Sequence, residues 1–129
     1  MRGASALGQL LERHPEADVR VIVVWEPVLE EDTGPPSDWV RAPLADPRVV
    51  EIWDPERWMS PRAVARAADY GVDFGPRGVA WDFVARYVPG AVWQEPFPDP
   101  AWWGTPVVDS LGPVEDQLGT PSHRPIRRR

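Results

Sequence analysis

The chain opens with apolar residues at helical spacing. Leu7, Leu10 and Leu11 fall at i, i+3 and i+4, which predicts a short amphipathic helix with Ser5 as N-cap and Pro15 as stop. The pattern then becomes nearly continuous. Asp18-Val-Arg-Val-Ile-Val-Val-Trp25 is rich in β-branched residues, as a strand buried on both faces in the parallel part of an α/β sheet would be. Val49-Val-Glu-Ile-Trp53 repeats the theme and ends at Asp54-Pro55. Residues 26–45 between them carry Pro27, Gly34, Pro35, Pro36 and Pro43 and read as loop, with one or two helical turns over 37–41. This connection is long enough for the crossover that parallel strands require.

The clearest helix spans 60–70. Ser60 can cap it, Pro61 suits its first position, and Gly71 suits the left-handed position after its end. Ala63, Val64, Ala67 and Ala68 make a narrow apolar face for close packing on a sheet. The period then changes to two: Val79, Trp81, Phe83, Ala85 and Tyr87 point one way, Asp82 and Arg86 the other. Pro89-Gly90 can form the centre of a type II turn, so Ala91-Val-Trp93 is expected to return antiparallel as a hairpin. From Glu95 the chain is proline-rich (Pro96, Pro98, Pro100, Pro106) and is expected to wrap the surface, anchored by Trp102 and Trp103. Periodicity ends near Gly112. The division read from this is a domain over 1–106 and a poorly structured tail with a basic end over 107–129.

The order of these elements resembles the thioredoxin-like superfamily in its peroxiredoxin and cytochrome-maturation layout. Its "Tyr-Pro-Asp-Val"-like turn corresponds to His14-Pro15-Glu16-Ala17-Asp18-Val19. Its "Leu-Asp-Pro-Asp-Gly"-like corner corresponds to Ile52-Trp53-Asp54-Pro55-Glu56, and its "Tyr-Gly-Val … Gly-Val-Pro" to Tyr70-Gly71-Val72 and Gly78-Val79-Ala80. More narrowly the chain is similar to a bacterial thioredoxin-fold group marked by Trp25-Glu26-Pro27, Asp46-Pro47-Arg48-Val49, Ala80-Trp81-Asp82 and Pro89-Gly90-Ala91-Val92-Trp93. The resemblance covers roughly residues 1–103. It implies an α/β domain with a mixed sheet, flanking helices and an incomplete N-terminal side.

Three departures from that family bear on activity. The cysteines of its Cys-x-x-Cys motif, whose thiolate a helix N-terminus stabilises, would fall at Met1 and Ala4. Its cis-proline would fall at Ala80, where a trans bond is expected because a non-proline cis bond costs about 3 kcal/mol. The central strand that leads into the cysteine motif is missing, so residues 19–25 would lack a neighbour on one side. Direct pairing with 79–88, a strand from another chain, or residues upstream of Met1 could fill that place. The severity of the defect favours the last, which would make the chain a truncated relative of a thiol oxidoreductase.

Composition sharpens this picture. The 129 residues include no cysteine, which excludes thiol–disulfide chemistry and zinc–thiolate sites and leaves compartment unreadable from redox usage. His14 and His123 have no neighbour at ligand spacing. All 14 basic residues are arginine, and asparagine is absent, the mark of a GC-rich coding sequence. Net charge is −6, and the four arginines from Arg124 onward leave −10 on the residues before them. An acidic body argues against nucleic-acid binding by the fold itself. No apolar run approaches the ~20 residues of a membrane span, and no leader pattern appears, so cytoplasmic is the default assignment.

The remaining candidates are carboxylates and aromatics. Glu26, Glu30, Glu31 and Asp32 cluster after a strand but lack the spacing of a calcium loop. Glu26, Asp54 and Asp82 could form an acid–base site in a tryptophan-lined cleft if they converge within about 5–10 Å. Gly71, Gly75 and Gly78 do not open a helix after a strand and form no nucleotide fingerprint. Eight tryptophans are a heavy load. Trp25, Trp53 and Trp81 are expected in buried strands, whereas Trp39, Trp58, Trp93, Trp102 and Trp103 are candidate surface aromatics suited to an interface. The resulting expectation is a redox-inactive domain with no catalytic residue, metal or cofactor, acting through a protein partner or self-association. A carboxylate enzyme is its rival.

Overall fold

The computed structural model describes residues 2–118. Helix α1, Arg2–Arg13, begins before Ser5, which lies within the helix instead of capping it. Its apolar stripe drives the main packing, and Leu10 and Leu11 are each 1% exposed. The stripe faces the 3₁₀ turn Ala42–Leu44, where Leu44 is also buried, as is Val40 just before the turn. Contact is close because position 8 is glycine: a Cβ there would stand 2.1 Å from the Pro43 carbonyl oxygen. Arg48 closes the other end of α1. Its guanidinium donates to the carbonyls of Leu11 at 2.9 Å and His14 at 2.7 Å while gripping Asp46 at 2.8 Å. Those charge-assisted bonds hold the Asp46 carboxyl down at about 2.

Strands β1 (Val21–Trp25) and β2 (Val49–Trp53) pair in parallel, from Val21↔Val49 to Trp25↔Trp53. The crossover carries helix α2, Asp38–Arg41, as the loop pattern predicted. One face of the pair is tied down by Glu51, which accepts from Trp25 Nε1 at 2.7 Å and Arg41 Nε at 3.0 Å. Burial on both faces was expected, and it does not hold. Ile22, Val50 and Ile52 are 42%, 40% and 42% exposed, because no described element covers the side to which they point.

Helix α3, Met59–Ala68, takes up most of the predicted 60–70 span. It ends in paired Gly71 N–H→Ala68 and Val72 N–H→Ala67 bonds with Gly71 at φ +76, the closure glycine permits. Beyond it the expected hairpin is replaced. The Pro89-Gly90 turn forms, with Ala91 N–H donating to Val88 C=O at 3.1 Å, but 91–93 is not a strand. Strand β3, Val84–Arg86, pairs antiparallel with β4, Trp102–Gly104, instead. Trp93 is drawn onto Phe97 and Tyr87, with ring centroids 5.7 and 6.0 Å away.

The stretch after 106, expected to be irregular, is partly helical. A 3₁₀ turn, Val107–Asp109, packs on α1, and helix α4, Gly112–Leu118, follows. Glu115 joins α4 to α1 through Arg13 at 2.9 Å and His14 at 2.8 Å. The basic end from Arg124 lies outside the described residues. The whole is a mixed α/β architecture whose strands form two separate two-stranded sheets among the described residues. β1 pairs with β2 alone and not with 79–88, so one edge of β1 is open.

Candidate functional site

Because β1 and β2 run parallel, the residues that follow them, Glu26 and Asp54, emerge at the same end of the sheet. Helix α3 starts there. Its first turn has unpaired N–H groups and the positive end of the helix dipole, and the two carboxylates meet them. Asp54 Oδ2 accepts the Met59 N–H at 2.9 Å, and Glu26 Oε1 accepts the Ser60 N–H at 2.9 Å. The other Glu26 oxygen accepts the Ser60 hydroxyl, and the Ala80 N–H donates to Ser60 Oγ at 3.1 Å. Ser60 is 2% exposed, so this small network is sealed on one side. Burial raises the Glu26 carboxyl above its ordinary value, the Ser60 hydrogen bonds oppose the rise, and nearby Asp54 adds to it.

Asp82, the third predicted carboxylate, is engaged elsewhere: it sits at φ +52 and accepts the Val107 N–H at 3.1 Å. Two of the three candidates are thus joined at the α3 terminus and the third serves the segment after β4. Of the positions matching the family's active site, Met1 lies outside the described residues. Ala4 is half-buried in the first turn of α1. The start of that helix adjoins the Ala80–Asp82 segment, since a Cβ on Gly3 would stand 3.2 Å from Asp82 Oδ1. Among the described residues the cis bonds precede Pro96 and Pro106, so the bond before Ala80 is trans, as expected. The acidic loop after Glu26 closes on itself: Asp32 accepts the N–H groups of Val28 at 2.9 Å and Leu29 at 2.8 Å. Those bonds lower its carboxyl below the ordinary value.

Beside Asp54 the sheet runs into an open groove of about 370 Å³. Val24 and Ile52 contribute from the strands, Trp53 and Asp54 from the β2 corner, Trp58 and Met59 from the start of α3, and Trp93 from the loop. Phe97, 6% exposed, holds the two loop aromatics in place. Trp93 stacks on it at 5.7 Å, Trp58 packs against it at 5.9 Å, and Arg62 lies 3.6 Å from the Trp58 ring centre. Trp102 and Trp103, predicted beside Trp93 as surface aromatics, are half-buried in β4, with Trp103 stacked on Phe83 at 6.0 Å. Trp81, expected inside, is 61% exposed. The strand position of Trp53 alone predicts a core side chain. Its place directly before the Asp54-Pro55 corner is the signal that sets it at the groove.

Among the described residues no group of three or more His, Cys, Asp or Glu is arranged to hold a metal ion. No helix there is long and apolar enough to cross a membrane. No family model matches the chain, and neither a curated protein nor a solved structure matches it.

Proposed function

We propose that this chain is a protein-interaction module on a thioredoxin-like plan, without thiol chemistry. Its working surface is the uncovered face of β1 and β2 with the tryptophan-walled groove beside it. The observation that carries this reading is the exposure of Ile22, Val50 and Ile52 on one side of a parallel pair. Parallel sheets are ordinarily covered on both faces, and an apolar patch left open marks a contact surface. A polypeptide is the class of partner that satisfies both an apolar face and the open backbone edge of β1.

The test is to place charge on that face. Ile22→Lys and Ile52→Lys together should leave the thermal midpoint nearly unchanged, since exposed substitutions usually stay within about 0.5 kcal/mol, while abolishing association measured by sedimentation or capture. Loss of cooperative unfolding in the double variant would show that the face belongs to the chain's own core and would overturn the reading.

A second reading, a hydrolase-type site on Glu26 and Asp54, is favoured by their common position at the strand ends and by the raised Glu26 carboxyl. Both groups also cap α3 and Asp82 is engaged elsewhere, so the interaction surface is the stronger candidate.

A further inference from the structure

Resting on that reading, we propose that the partner at the open edge is a second copy of this chain. In this pairing β1 joins antiparallel to β1 about a two-fold axis at Val23, giving a sheet in the order β2-β1-β1-β2.

The register settles which backbone groups are available. Val21 N–H donates to Arg48 C=O at 2.9 Å, and Asp54 N–H donates to Trp25 C=O at 2.8 Å. Strand backbones alternate direction, so Val21, Val23 and Trp25 point to β2, whereas Ile22 and Val24 point outward. No described residue pairs with β1 on that outward side. An edge of this kind is a template for another strand.

The sequence around Val23 is complementary to itself. With Val23 on the axis, Ile22 stands opposite the partner's Val24, and these residues exchange N–H···O=C bonds twice over by symmetry. Val21 stands opposite the partner's Trp25, keeping apolar against apolar. All five residues of β1 are paired in this register. Other registers lose this. A one-residue shift sets inward-pointing backbone groups against outward-pointing ones. A two-residue shift either way leaves only three of the five residues of β1 paired with the partner's β1. Strand overlap and hydrogen-bond direction therefore select one antiparallel register, and a second β1 fulfils it along its whole length.

The absence of native cysteine makes the test clean. Val23→Cys places one thiol per chain on the axis, where facing Cα atoms lie about 4.5 Å apart, within disulfide reach. Ile22→Cys places it two residues from its own symmetry mate, out of reach. The full chain should sediment as a dimer at micromolar concentration, and mild oxidation should cross-link Val23→Cys to near completion while leaving Ile22→Cys uncrosslinked. Val24→Pro removes an outward N–H and fills the edge, and should yield a monomer with unchanged circular dichroism. If it misfolds, the cysteine pair still decides. A chain that stays monomeric at every concentration overturns the pairing, and so does equal cross-linking of the two cysteine variants. A dimer that is lost in the Ile22→Lys/Ile52→Lys variant but not trapped by Val23→Cys would sink the pairing while sparing the interaction reading.

Discussion

Ser60 shows how one small side chain can hold three segments together. Its N–H and hydroxyl both reach Glu26, and its oxygen accepts the Ala80 N–H. Ser60→Ala would strand a Glu26 oxygen and the Ala80 N–H at a site that is 2% exposed, and should cost about 1–3 kcal/mol in denaturant unfolding. Glu26→Gln should behave differently. Burial raises the Glu26 carboxyl, so the folded state favours the neutral form. That contribution is complete below the unfolded pKa and is lost as pH rises through the folded one. The amide keeps an oxygen for the Ser60 N–H and removes the buried charge. Glu26→Gln should therefore be at least as stable as the parent at pH 7, with a flatter profile above about pH 4.3. A marked loss at pH 7 would mean that the α3 terminus needs the charge itself. In the sequence, Ser60 was legible as a residue at a helix start, but the carboxylate that caps its N–H comes from 34 positions earlier. Local signals do not reach that far. The place of Asp82 is hidden for a related reason, since period two says which way a side chain points and not that its backbone turns to φ +52.

Among the elements, α1 depends on a glycine that propensity would discourage. In a free helix Gly8→Ala would gain up to about 1 kcal/mol. Here the new Cβ would meet the Pro43 carbonyl oxygen at 2.1 Å, a rigid backbone atom, and overpacking of that kind costs about 1–3 kcal/mol. The cost outweighs the gain, and Gly8→Ala should lower the melting temperature by several degrees. A rise would show that α1 can lift off the 3₁₀ turn. Elements with a strong period of their own were readable: α1, α3 and the β1 and β2 cores with their crossover. The partner of β3 was not. The Pro89-Gly90 turn forms as its residues dictate, but the aromatic contacts of Trp93 take the chain away from β3 and leave Trp102–Gly104 to pair instead. Helix α4 spans only Gly112–Leu118, too short for Leu111, Val114 and Leu118 to stand out as a helical period.

On the scale of the whole molecule, the last described helix is fastened to the first by charge. Glu115 fastens α4 to the end of α1 through Arg13 and His14, and these hydrogen bonds lower its carboxyl to about 2. A depressed carboxyl contributes stability that is present above the unfolded value of about 4.3 and is lost as pH falls through the folded value. Between about pH 4.3 and 2, α4 should therefore loosen from α1. Arg13 and Glu115 are partly solvated, so salt should weaken the tie at neutral pH as well. Asp46, held by Arg48, protonates in the same range, which makes global unfolding a poor readout. Amide exchange of 112–118 relative to 7–11 separates the two. Acid should raise exchange in α4 first, and Glu115→Gln should show the raised exchange already at pH 7 with no further change on acidification. Equal protection of α4 in parent and variant across that range would show that its attachment is apolar, through Leu111 at 7% exposure, and that the ionic tie is incidental.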